Sequence, residues 1–257
     1  MKTTATAALL LAATTTTTTT AAATQPPFLV MGDWGGSIHA PYTTSMEIAT
    51  AKGMGKVAAN YTSTFSLALG DNFYTQGVQS VEDTRFQYTF EHVFTAESLQ
   101  SPFKFHIIAG NHDHNGNVTA QIDYSSISTR WNYPSLYYTF TEGDVQFVMI
   151  DTVVLSGNSD LEDGTELNGD ALPGPFSQLA AVTQLEWIET TLAASNAKYL
   201  IVGVLKMIVL VSTIKYLYMS ILHISLFSWN LCLFFSKHRL LVTIQFIPFV
   251  NMDLHPR

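Results

Sequence analysis

The hydrophobic pattern repeats one design three times in the first half of the chain. Phe28-Leu29-Val30-Met31 runs into Gly32-Asp33-Trp34-Gly35-Gly36, and Leu67-Ala68-Leu69 into Gly70-Asp71-Asn72-Phe73-Tyr74. Phe105-His106-Ile107-Ile108-Ala109 then runs into Gly110-Asn111-His112-Asp113-His114. Short apolar runs that stop at glycine are the pattern of central parallel strands, and open α/β sheets build their sites outside such strand ends. Between the first two, Pro41 to Val57 reads as a helix whose small residues Ala49, Ala51, Gly53 and Gly55 permit close packing on a sheet. Between the second and third, Phe86, Phe90, Val93 and Phe94 recur at helical spacing within Glu82 to Phe94 and define one buried face. Strand, helix, strand, helix, strand predicts an α/β fold: a parallel or mixed sheet with covering helices.

Further on, Leu136 to Thr141 and Val145 to Asp151 read as a strand pair turning at Glu142-Gly143-Asp144. Residues 157–176 are rich in Gly, Asp, Asn and Pro, the signature of a long exposed loop. Thr183 to Ala194 reads as a helix with Leu185, Ile188 and Leu192 inward, and Lys198 to Gly203 as another strand ending in glycine. A fourth ligand-bearing loop is expected there, but the composition changes instead. All fifteen glycines and nineteen of the twenty acids lie in residues 1–203, so the remainder has no clear turn signals and a single acid, Asp253. Within it Tyr216 to Ser236 carries no formal charge, close to the ~20 residues that cross a bilayer, and Lys237, His238 and Arg239 follow as a cytoplasmic flank would. Residues 204–257 are therefore expected to be an unrelated apolar tail, either aberrant read-through of noncoding sequence or a membrane anchor.

Charge and composition narrow the function. A chain of 257 residues suits one large domain, here residues 24–203. Its net charge of −8, concentrated in that domain, argues against nucleic acid as a partner. Met1-Lys2, the apolar stretch Ala7 to Ala13 and Ala21-Ala22-Ala23 have the parts of a secretory signal peptide over residues 1–23. The sequons at Asn60 and Asn117 fit an extracellular or lysosomal glycoprotein. Cys232 is the single cysteine, so no intrachain disulfide can form and a metal site could supply the missing cross-link.

Three strand ends that release carboxylate, phenol, amide and imidazole groups suggest one shared metal site. Asp71 is placed to bridge two metals, with Asp33 a terminal ligand to one and Asn111 to the other; such pairs activate water and orient a phosphoryl group. Tyr74 is the informative residue, because phenolate is a hard anionic donor that favours a trivalent ion such as Fe(III). The motifs Gly32-Asp33-Trp34-Gly35, Gly70-Asp71-Asn72-Phe73-Tyr74 and Gly110-Asn111-His112-Asp113 resemble those of the purple acid phosphatases, in particular the small tartrate-resistant branch of the calcineurin-like metallophosphoesterases. The likeness continues through Gln121 to Ser125, Arg130 to Pro134, Ile150 to Thr152 and Gln184 to Ile188.

That resemblance implies a four-layer α/β/β/α sandwich and a phosphomonoesterase with a dinuclear centre of Fe(III) and divalent Fe or Zn. Asp33, Asp71 and Tyr74 would serve the ferric ion, Asp71 and Asn111 the divalent one, and His112 would meet the substrate phosphate or protonate the leaving group. The chain departs from the family after Val202, where a Gly-His-Tyr-Pro segment and later a Gly-His-x-His segment are expected and missing. Three histidine ligands are lost with them, which leaves open an inactive truncated or membrane-tethered relative.

Overall fold

The computed structural model describes residues 27–156 and 177–205, together with the strand backbone of residues 231–236 and 239–240. The segments read as a signal peptide and as the long loop 157–176, and most of the apolar tail, lie outside the described residues.

Strands β1 (Phe28–Met31), β2 (Phe65–Leu69), β3 (Lys104–Ile108) and β4 (Trp131–Asn132) form one sheet in that order, all parallel. In-register parallel pairing leaves the carboxyl ends of β1, β2 and β3 side by side, so the three Gly-terminated loops converge as the hydrophobic pattern implies. A second sheet has the order β5 (Tyr138–Glu142), β6 (Val145–Met149), β7 (Tyr199–Val204), β8 (Leu231–Ser236) and β9 (Arg239–Leu240). Here β6 and β7 are parallel and the other neighbours antiparallel.

Strand alternation explains how the two sheets meet. Phe65 and His106 on the first sheet face Phe140 and Phe147 on the second, with His106 stacked on Phe140 at 3.6 Å between ring centres. The alternate residues point the other way. Phe105 packs on Phe90 and Phe94, the buried face read from the helical spacing, within an aromatic cluster that also holds Trp34, Phe73, Phe86 and Trp131. Behind the second sheet, Val148, Ile150 and Val204 pack on Ile188 of helix α5 (Gln178–Ala194), with Leu185 and Leu192 beside it. The layers are therefore helix, sheet, sheet, helix.

The first long helix starts later than its small residues suggest. Helix α1 (Ser45–Tyr61) begins at Thr44, whose hydroxyl accepts from the Glu47 amide at 3.1 Å while Glu47 Oε2 accepts from the Thr44 amide at 3.3 Å. This capping box satisfies amides that a start at Pro41 would leave unpaired. The Phe86 region is also shorter than read, a π-helical turn over Phe86–Glu91, and the short helices α2 (Asn111–His114) and α3 (Val118–Asp123) follow β3. In the apolar tail, Leu231–Ser236 pairs antiparallel with β7, so the last six residues of the candidate membrane segment are a strand and not part of a spanning helix. Among the described residues no helix is long and apolar enough to cross a membrane.

Candidate metal site

The site begins with two aspartates held in an uncommon backbone conformation. Asp33 and Asp71, each directly after a strand and its glycine, have φ of 52° and 51°. The left-handed region is tolerated by Asp better than by most residues, and such outliers gather at functional sites. The turns are locked to each other: the Asp33 amide donates to Gly70 O at 3.2 Å and the Tyr74 amide to Gly35 O at 3.0 Å. Gly35 is required by this approach, because a Cβ there would lie 2.6–2.7 Å from Phe73 N, Asp71 O and Tyr74 N.

The third loop is tied to the second by Asp113, which is fully buried. Its carboxylate accepts from the Gly110 amide at 2.8 Å, the Asn72 amide at 3.0 Å and the Gln121 side chain at 2.9 Å. Asn72 in turn accepts from the Trp34 indole at 2.9 Å and donates to Ile108 O and Gln121 Oε1. One hydrogen-bonded frame thus fixes the backbone on either side of Asp71 and just before Asn111.

On that frame Asp33, Asp71, Tyr74 and His112 come together. Tyr74 Oη donates to Asp33 Oδ1 at 3.0 Å and lies 3.4 Å from Asp71 Oδ2. The His112 amide donates to Asp71 Oδ1 at 3.2 Å. The His112 ring stands edge-on to Tyr74, 4.8 Å between centres, with Nδ1 at 2.9 Å from Thr75 O. A carbonyl can only accept, so Nδ1 carries the hydrogen in this contact. Asp71 and Asn111 are buried at 2% and 4% exposure, while Asp33 is exposed, so the site opens on the Asp33 side.

Oxygens cis on an octahedral ion with bonds of about 2.0–2.1 Å sit about 2.9 Å apart, close to the Tyr74–Asp33 separation and somewhat below the Tyr74–Asp71 one. Among the described residues there is no group of three or more His, Cys, Asp or Glu that could hold a metal ion. Electrostatics favour a cation all the same. Burial, then the charge of Asp113, pushes the Asp71 carboxyl up to about 7 against the opposing effect of His112. Burial, then Asp33 and Asp71, raises the Tyr74 phenol.

Two further histidines among the described residues, His106 and His114, make structural contacts. His114 pairs with fully buried Asp151 at 2.7 Å, linking the ends of β3 and β6, and Asp151 also caps helix α4 (Thr152–Ser156). His106 is kept neutral by burial, down to about 3. Neither His114–Asp151 nor the Asp113–Asn72–Gln121 frame was legible in the sequence; their only signal is polarity inside otherwise apolar motifs.

No protein-family model matches the chain. It is 45% identical over 182 residues to tartrate-resistant acid phosphatase type 5 of Oryctolagus cuniculus, covering 68% of this chain and 54% of that protein. Purple acid phosphatase 17 of Arabidopsis thaliana is 30% identical over 179 residues, covering 68% and 50%. Among solved structures, GAP50, described as the anchor in the inner membrane complex of Plasmodium, superposes with a TM-score of 0.52 at 24% identity over 69% of this chain and 54% of that one. That likeness shows the fold alone. The chain spans about half the length of the curated relatives it matches. Over about two thirds of its own length, this chain is a homologue of the tartrate-resistant purple acid phosphatases.

Proposed function

We propose that the chain is a metallophosphoesterase relative that keeps the ferric half of an acid phosphatase site and, as this sequence stands, does not turn over phosphomonoesters. The observation that carries this reading is the donor inventory. Asp33, Asp71, Tyr74 and Asn111 lie just beyond the ends of β1 to β3, whereas β7 ends at Val204 and is followed by Leu205, apolar residues where a fourth ligand loop was expected. A dinuclear centre needs donors on both ions, and half a set costs most of the affinity.

A second reading, an acid phosphatase acting on phosphomonoesters, is favoured by the 45% identity to a relative of that name and by the Asp33–Tyr74–Asp71 geometry. In that reading Asp33, Asp71 and Tyr74 hold Fe(III), Asp71 and Asn111 a divalent Fe or Zn, and His112 offers a proton at Nε2. The metals would supply a nucleophile at acid pH. The secretory route and glycans at Asn60 and Asn117 belong to the same reading, and both asparagines are exposed.

The two readings separate in one assay. The full chain, loaded with Fe(III) and then Zn(II), is given 4-nitrophenyl phosphate at acid pH. No release above the metal-only control is expected. Turnover within the ordinary enzymatic range of roughly 1 s⁻¹ or more would establish the second reading.

A further inference from the structure

Glu47 is the one acid of helix α1, and its carboxyl group lies under the loop that carries the chain from the Asp33 turn to that helix. It is 5% exposed, and its Oε1 has no hydrogen-bond partner among the described residues. Oε2 accepts from the Thr44 amide at 3.3 Å and lies 3.0 Å from where a Cβ on Gly36 would stand. The same Cβ would meet Tyr42 O, which accepts from the Ser37 amide and from Thr89 Oγ1, each at 3.0 Å. As a carbonyl it can offer a carboxylate no hydrogen.

The loop over this acid is folded tightly. Gly36 and Tyr42 have φ of 69° and 66°, and the Tyr42 amide donates to His39 O at 2.8 Å. For a tyrosine that conformation persists only while its surroundings enforce it.

A buried carboxylate needs donors or a counter-charge, whereas a neutral carboxyl group needs far less. No counter-charge is supplied. Of the titratable groups on the elements around it, Asp33, His39, Lys52, Lys56, Tyr88 and His92 are exposed, Glu91 is paired with Arg130, and Tyr42 stands beside Tyr88. None of them moves Glu47, whose carboxyl burial pushes up to about 8 against the opposing Thr44 amide.

We infer that Glu47 is a proton-operated latch: neutral, it stays beneath residues 36–44 and holds them closed, and ionised, it reaches water only by lifting them. Its proton then passes to solvent. Gly36 follows Gly35, whose carbonyl receives the Tyr74 amide, so an open loop loosens the lock between the first two turns of the site. Because the closed loop holds a proton that the open loop releases, closure is complete below about pH 4.5, weakens as pH rises and levels off above about 8. None of this depends on a bound metal or on turnover.

The test is hydrogen exchange of the full chain, read on peptides by mass spectrometry and corrected for the intrinsic pH dependence of exchange. Protection of residues 37–44 should fall at least about tenfold between pH 5 and pH 8. At every pH it should stay at least about tenfold below that of Phe65–Leu69, as a local opening requires. Glu47→Gln, which cannot ionise, should abolish the pH dependence. The same pH dependence in parent and variant, or equal protection of the loop and Phe65–Leu69, would overturn the latch. The carboxyl ¹³C shift of Glu47 in the unaltered chain decides the matter if the variant does not fold. A midpoint above about 6 supports the latch, and one at the ordinary 4.5 overturns it.

Discussion

Replacing Asp113 by alanine should damage both the stability of the chain and the metal site, by an amount that can be worked from its partners. The carboxylate accepts from the Gly110 amide, the Asn72 amide and the Gln121 side chain, and none of these lies where water can replace it. Leaving a buried donor unsatisfied costs about 1–3 kcal/mol, so three orphaned donors imply roughly 3–9 kcal/mol. Part of that is offset, because burial pushes the Asp113 carboxyl up, a sign that the folded state carries a cost for holding it charged. Relaxation and the removed desolvation cost together bring the expected loss to about 2–4 kcal/mol, against a total stability of about 5–15 kcal/mol for an ordinary domain. Urea unfolding followed by fluorescence of the buried Trp34 and Trp131 measures it, with the slope checked for constancy. The metal site should fail in parallel, because the same bonds hold the backbone beside Asp71 and Asn111. A variant with a loss under about 1 kcal/mol and unaltered Fe(III) binding would refute the frame described here.

Glu47, at 5% exposure, gives a pH signature of its own. Burial, only partly opposed by the Thr44 amide, raises its carboxyl to about 8, so the folded chain holds a proton that the unfolded chain releases near its ordinary value of 4.5. Its stabilising contribution is complete below about pH 4.5 and declines as pH rises to about 8. Glu47→Gln should flatten that decline and raise stability at pH 7 by about 1–3 kcal/mol, read from urea midpoints across the pH range. No difference in pH slope between parent and variant would count against a protonated Glu47. Gly35→Ala drives a methyl onto three backbone atoms that cannot swing aside. It should cost about 1–3 kcal/mol or more and abolish the Fe(III)–Tyr74 band, whereas a variant with parental melting and colour would show the loops to be looser than described.

Much of this site could be read from the chain because its elements are local. An apolar run followed by Gly-Asp specifies a strand, its end and a carboxylate at that end, and parallel pairing of β1 to β3 does the rest. The helix read from Thr183 to Ala194 was legible for the same reason, with Ile188 buried at helical spacing from Leu185 and Leu192, although it starts earlier, at Gln178, where the Ser177 side chain caps it. The start of α1 was misplaced because small residues outweighed the Thr44-x-x-Glu47 pattern, which was present and is the better boundary signal.

What stayed hidden is long-range. Asp113 and Asn72 are 41 residues apart, His114 and Asp151 are 37, and hydrogen bonds between distant polar groups leave no period in a sequence. Leu205 was read as part of an unrelated tail, yet directly after β7 it is buried against Gly70 and Gly110 at the ends of β2 and β3. The pairing of Leu231–Ser236 with β7 was hidden likewise, since an apolar run of that length fits a strand or part of a spanning helix equally well.

The most direct measurement is a crystal of the full chain soaked in Fe(III) and Zn(II), with anomalous scattering recorded at both absorption edges. One iron peak among Asp33, Asp71 and Tyr74, with Leu205 lying against Gly110 and no zinc beside Asn111, is the expected result. A second peak on the Asn111 side, ligated by any residue of the chain, would contradict the account of a half-site.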